Sequence, residues 1–201
     1  MRHPVVLAIA ALVAAPAPAV AQFCLRGRPR PACSTFLISE FLVGSRFSES
    51  QYAETLVIAH WEYGLMGNVG DRTAVGGTAL GAITGGGGRL ALKARYRRWL
   101  GSSWSLDVAP GVVVAAGSGG QDADLRGPGF SGHLGLMWRD FAGVSLLFEA
   151  VPFRQPETGI PGTDAAFGIG GRLGSPVGGI LGAATFLGLV LVGAHLASIT
   201  S

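Results

Sequence analysis

The sequence predicts an all-β protein, an up-and-down antiparallel β-barrel of about eight strands. Three observations carry this. Segments of roughly a dozen residues alternate apolar with small or charged side chains, the period of a strand with one apolar face. The gaps between them alternate long and short. Only 13% of the chain is charged, too little to coat a water-facing exterior on so many strands.

Residues Met1 to Ala21 read as a secretory signal peptide. Arg2 and His3 form a basic start, Val5 to Ala15 an apolar run, and Ala19-Val20-Ala21 a small-x-small cleavage site. The run is short for a membrane span, and Pro16 and Pro18 break it. After cleavage, 14 Lys and Arg face 12 Asp and Glu, a net +2 with His neutral. That is a small imbalance, not a nucleic-acid patch. The segment 22–34 holds both cysteines, Cys24 and Cys33. In an oxidising compartment they are expected to form a local disulfide. The loop is expected to lie outside the barrel, so that losing the bond leaves the β-structure intact. Arg26, Arg28 and Arg30 cluster in this segment; contact with acidic lipid headgroups is one reading, and a solvated basic tail is the favoured one.

The expected strands are Thr35–Ser45, Thr55–Met66, Thr73–Ile83, Arg89–Leu100, Trp104–Ala116, Phe130–Arg139, Gly143–Phe153 and Asp164–Leu173. The fourth is the clearest. Leu90, Leu92, Ala94 and Tyr96 share one face, and Arg89, Lys93, Arg95 and Arg97 the other. In the fifth, Trp104, Leu106, Val108, Val112 and Val114 oppose Ser105, Asp107, Ala109 and Gly111. In the sixth, Phe130, Leu134, Leu136 and Trp138 oppose Ser131, His133, Gly135 and Arg139. In the seventh, Val144, Leu146 and Phe148 oppose Ser145 and Glu149. The first and third strands are weaker. Glu40 shares a face with Ile38 and Leu42, and the third is mostly Gly, Ala and Thr.

The connections after strands two, four and six are turn-sized. Those after one, three, five and seven are polar, Gly- and Pro-containing loops: 46–54, 84–88, 117–129 and 154–163. Tyr63, Tyr96, Trp99, Trp104, Trp138 and Phe141 gather near the short-turn ends, as an interfacial aromatic belt would. From Pro176 to Ile199, 24 residues carry no Asp, Glu, Lys or Arg, and Gly178 and Gly182 have small-xxx-small spacing. The segment 174–201 is therefore expected to be an apolar helix.

The face opposite the apolar one carries Gly, Ala and Ser as often as charges. That suits a narrow lumen filled by small residues and a few paired long ones. The expected lumen set is Glu40, His60, Glu62, Lys93, Arg95, Arg97, Asp107, His133, Arg139, Glu149 and Arg172, with Asp107 opposite Arg95 or Arg97. Mixed signs of charge suggest a plugged core, not a channel. Over residues 35–173 this pattern resembles the eight-stranded outer-membrane barrels of the OmpA/OmpX kind. It is a resemblance of architecture, without a diagnostic motif and without a C-terminal aromatic strand. It implies an outer membrane of a double-membrane bacterium, membrane lipid as partner, and a structural or surface-interaction role. The long loops would then be the contact surface.

Two other readings compete. With the apolar face inward, the strands would form a periplasmic lipocalin-like barrel binding an apolar ligand, tethered by the C-terminal segment. The third is a lipid hydrolase. Ser131, His133 and Glu149 share a polar face and are the residue types of nucleophile, base and orienter, although no nucleophile elbow accompanies them. No cofactor is expected. Gly85–Gly88 lacks a phosphate-loop ending, while Asp122 with Asp124, and His60 with Glu62, are too few to hold a metal.

Overall fold

A computed structural model describes residues 22–47, 57–84, 87–118, 124–125, 128–154 and 158–185. The signal segment 1–21, most of the long loops and residues 186–201 lie outside the described residues. The described residues form ten strands: β1 (Phe23–Cys24), β2 (Thr35–Arg46), β3 (Val57–Asn68), β4 (Thr73–Thr84), β5 (Gly87–Leu100), β6 (Trp104–Ser118), β7 (Asp124–Leu125), β8 (Gly129–Trp138), β9 (Ala142–Arg154) and β10 (Pro161–Leu173). One short helix, α1 (177–185), follows. The long strands close in the order β2-β10-β9-β8-β6-β5-β4-β3, with β3 returning to β2. This is the expected closed eight-stranded antiparallel barrel. The two-residue strands β1 and β7 were not expected; neither is long enough to show a period.

Closure is shortest between β2 and β10, where Phe41–Arg46 pairs with Gly168–Leu173. The start of β2 would otherwise be an open edge. Two devices fill it. The Ser175 hydroxyl takes the place of a backbone partner for Ser39, accepting from its N–H at 3.0 Å and donating to its carbonyl at 3.2 Å. Further along, β1 pairs in parallel, Phe23 with Thr35 and Cys24 with Phe36. Between β5 and β6, Leu90 pairs Ala115 and Ala91 pairs Val113, so Val114 is a bulged extra residue near the loop end.

The faces separate along each strand. On β5, Arg89, Ala91, Lys93, Arg95, Arg97 and Trp99 are buried in the lumen, while Leu90, Leu92, Tyr96 and Leu100 are exposed. Leu92 is 57% exposed, Val144 54% and Leu146 51%. The apolar side chains look outward. The interior is layered. Phe36, Ile38, Met66, Ala74 and Trp99 fill the short-turn end, and Leu80, Ala82, Ala91, Val113 and Val151 fill the loop end. Ionic side chains lie between. The lipocalin-like alternative is corrected here. The voids beside His60 and beside His133 are about 20 Å³ and about 10 Å³, space for about one water rather than an apolar ligand.

Trp99 is also corrected. It is 6% exposed and belongs to the lumen, not to an outer belt. Its position two residues beyond Arg97 dictates this, because strand parity does not change until the chain turns. Tyr63, Tyr96, Trp104, Trp138 and Phe141 are exposed, as expected.

The N-terminal segment departs most from expectation. Cys24 and Cys33 are disulfide-bonded, but their loop plugs the short-turn mouth of the barrel instead of hanging outside it. Cys33 is fully buried. Asn68, at the end of β3, donates from Nδ2 to the Arg28 and Cys33 carbonyls at 2.7 and 2.9 Å, and accepts from Trp99 Nε1 at 3.1 Å. Cys24→Ser with Cys33→Ser should therefore cost about 2–4 kcal/mol and speed hydrogen exchange at the Trp99 indole. Unchanged unfolding and exchange would return the loop to the role of a loose appendage.

The apolar segment after β10 begins as α1, which lies on the outer wall of β2 and β3. Gly178 and Gly182 face that wall, Gly178 against strand backbone and Gly182 against the Tyr63 and Trp61 side chains. A Cβ on Gly178 would collide with Leu173 O and lie 2.8 Å from Phe41 N, and one on Gly182 would lie 2.8 Å from Tyr63 Oη. Tyr63 Oη in turn donates to the Gly179 carbonyl at 3.1 Å. Among the described residues no helix is long enough to cross a membrane. Gly178→Leu should lift α1 off the wall while the barrel stays closed. Faster proteolysis after residue 175 with unchanged heat-modifiability checks this; unchanged proteolysis would show that the contact is dispensable.

Candidate functional site

The candidate site is the ionic layer of the lumen, and strand register builds it. Arg97 on β5 pairs directly with Asp107 on β6, which resolves the two registers the sequence allowed. Asp107 is fully buried and is the hub. Its Oδ1 accepts from Arg97 Nε at 2.6 Å. Its Oδ2 accepts from Arg95 Nη2 at 2.6 Å, Arg97 Nη2 at 2.9 Å and Arg172 Nη2 at 3.2 Å.

Glu40 closes a second ring across the barrel, accepting from Arg95 Nη2 at 2.8 Å and Arg172 Nη1 at 3.2 Å. Glu62 accepts from Lys93 Nζ at 3.3 Å, Arg95 Nη1 at 3.2 Å and Thr78 Oγ1 at 2.5 Å. Lys93, Arg95, Arg97 and Arg172 thus face Glu40, Glu62, Asp107 and Asp140, four cations against four acids. The layer is neutral, and its charges are desolvated but paired. The glycine opposite this layer on β8 is required by it. The Arg172 guanidinium lies against Gly135, where a Cβ would overlap it.

Asp140 escaped the sequence reading. A turn acid ordinarily reads as solvated, and nothing local marks it otherwise. The β8–β9 turn holds Arg139 and Asp140 at φ 50° and 53°, left-handed for both, and closes with Phe141 N donating to Trp138 O at 2.9 Å. Two such residues suit a hairpin's twist, but no Gly or Asn is present to ease them. The strained geometry turns Asp140 inward. There Oδ1 accepts from Arg97 Nη1 at 2.6 Å and Oδ2 from Gly27 N at 2.7 Å, joining plug to lumen. Burial pushes the Asp140 carboxyl above its ordinary pKa, against the pull of Arg97. Arg139, expected in the lumen, is corrected. It is the first residue of the turn, exposed, with its guanidinium 5.1 Å from the Trp138 ring.

The remaining site residues stand apart. Glu149 pairs with Arg89 Nε at 3.2 Å, nearer the loop end, and is not part of the central layer. Ser131 is opposite Glu149 in register, but no hydrogen bond joins Ser131, His133 and Glu149 among the described residues. His133 instead lies 3.2 Å from Lys93 Nζ through Nδ1 and 2.9 Å from Arg172 Nη1 through Nε2. Arginine and a charged lysine only donate, so both ring nitrogens face donors. The nitrogen that would take a serine proton is already occupied. Among the described residues no group of His, Cys, Asp and Glu is arranged to hold a metal.

The fold and lumen define a class: a closed eight-stranded barrel, apolar outside and salt-bridged within. Comparison with family models, curated proteins and solved structures returned no match.

Proposed function

We propose that the chain is a small, closed outer-membrane barrel with a structural or surface-interaction role, without catalysis and without passage of solutes. The observation that carries this is the inside-out arrangement: a continuous outward apolar wall around a lumen whose long polar residues are buried and paired. Water favours the reverse order; lipid favours this one. Strands of 10 to 15 residues suit the span, since a tilted transmembrane strand needs about 9–11. Exposed Tyr96, Trp104, Trp138 and Phe141 at the short-turn end suit a periplasmic interface. The long loops then face outward, where a rigid scaffold presents contact residues. The loops to examine are 117–129 and 154–163.

Fractionation of a double-membrane host tests the location. The protein should sediment with outer membranes and migrate faster unheated than boiled. Recovery as a soluble periplasmic species, or with inner membranes, would overturn the reading. Trimming 117–129 or 154–163 should leave heat-modifiability intact. Release of fatty acid by the purified barrel, lost in Ser131→Ala, would replace the non-catalytic role with the hydrolase.

A further inference from the structure

The plug and two turns border a half-open cavity of about 420 Å³ at the short-turn end. Its lining includes Arg26 and Arg28 from the plug, Ser102 and Ser103 from the β5–β6 turn, Arg139 from the β8–β9 turn, and Trp99. We infer that this cavity is a binding site for a phosphate group.

Charge and placement carry the inference. Every charged side chain lining the cavity is an arginine. In the lumen, arginines are matched by acids; among the described residues, none of the three here has an acid partner. Asp140, which accepts from Gly27 N and from Arg97, is 1% exposed and belongs to the balanced lumen layer. Two of the arginines are also fixed. Arg26 donates through Nε and Nη2 to the Arg139 carbonyl, which leaves Nη1 for a ligand. Arg139 lies over the Trp138 ring. Guanidinium forks with two serine hydroxyls offer many donors around one space. A tetrahedral anion with several acceptor oxygens satisfies such a set, and a single carboxylate does not.

Such a phosphate can belong to a lipid headgroup or to a soluble molecule. A lipid source rests on the outer-membrane reading. In its favour, Arg139 stacks on Trp138, itself exposed on the outer wall. The phosphate site alone does not rest on that reading.

The test uses the mature, disulfide-bonded protein. Native mass spectrometry from a neutral detergent should show phosphatidylglycerol retained at least tenfold over phosphatidylcholine. Phosphorus NMR should show broadening of inorganic phosphate, relieved by salt. Arg28→Glu with Arg139→Glu should abolish both signals, and the milder pair Arg28→Gln with Arg139→Gln should weaken both. Arg72→Glu, which lines another turn at the same end, should change neither. Phosphate broadening without lipid preference would keep the site and assign it to a soluble phosphate. Signals equal in wild type and both double variants would overturn it. Failure of the membrane reading is separately visible as detergent-free solubility, and the phosphate measurement then runs in buffer.

Discussion

Leu92→Arg should prevent assembly into lipid vesicles while leaving the amount of protein synthesised unchanged. Leu92 sits mid-strand on β5 and is 57% exposed on the outer wall. An arginine facing the middle of a bilayer costs about 2–4 kcal/mol, falling toward the interfaces. Leu136, two residues from the exposed Trp138, should therefore tolerate arginine better than Leu92 does. In water the order vanishes. An exposed leucine replaced by arginine ordinarily changes stability by about 0.5 kcal/mol or less. The same substitution is thus severe on lipid and nearly silent in solution. Folding yield into vesicles, followed by the shift between unheated and boiled migration, measures it. Normal yield for both variants would remove lipid from the apolar face.

Much of this fold was legible because a barrel strand is a two-state pattern. Each residue faces lumen or exterior, and on β5 every second residue declares which, from Arg89 to Trp99. Once β5 and β6 are joined by a tight turn, the meeting of Arg97 with Asp107 follows from the count of residues. Trp99 was placed wrongly when its chemistry, an aromatic near a turn, was weighed above its parity. Parity wins because the backbone sets it, whereas an interfacial preference is worth little against reversing a strand.

Other features carried no period. The plug is an irregular loop whose backbone groups are held by the side chains of Asn68 and Asp140, and no spacing encodes such contacts. Asp140 depends on two left-handed residues, Arg139 and Asp140; aspartate tolerates that conformation, but an arginine before it does not announce it. Gly178 and Gly182 were legible as a packing face, but spacing alone cannot say whether the partner is another helix or, as found, the barrel's own wall. The triad of Ser131, His133 and Glu149 shares a face, yet a shared face fixes direction and not contact. Lys93 and Arg172 reach the His133 ring from across the lumen.

Asp107→Leu should be the most damaging change in the lumen. Removing it leaves Arg95, Arg97 and Arg172 each short of a partner in a layer otherwise balanced four to four. Breaking a buried ion pair from one side costs about 3–5 kcal/mol, mostly from the charge left behind, and domains of this size hold only about 5–15 kcal/mol in total. Arg95→Leu, the obvious counterpart from sequence, should cost less at Asp107, because Arg97 and Arg172 still hold that carboxylate. The decisive measurement is a double-mutant cycle. Arg97→Leu with Asp107→Leu removes one cation and one acid and restores neutrality, so the pair should be more stable than Asp107→Leu alone by at least about 1 kcal/mol. Asp140 then loses Arg97 but keeps the Gly27 N–H, which limits the recovery. Urea unfolding in detergent micelles, followed by tryptophan emission, reads both effects. If Asp107→Leu lies within about 1 kcal/mol of wild type, the ionic layer fills space but does not hold the barrel together.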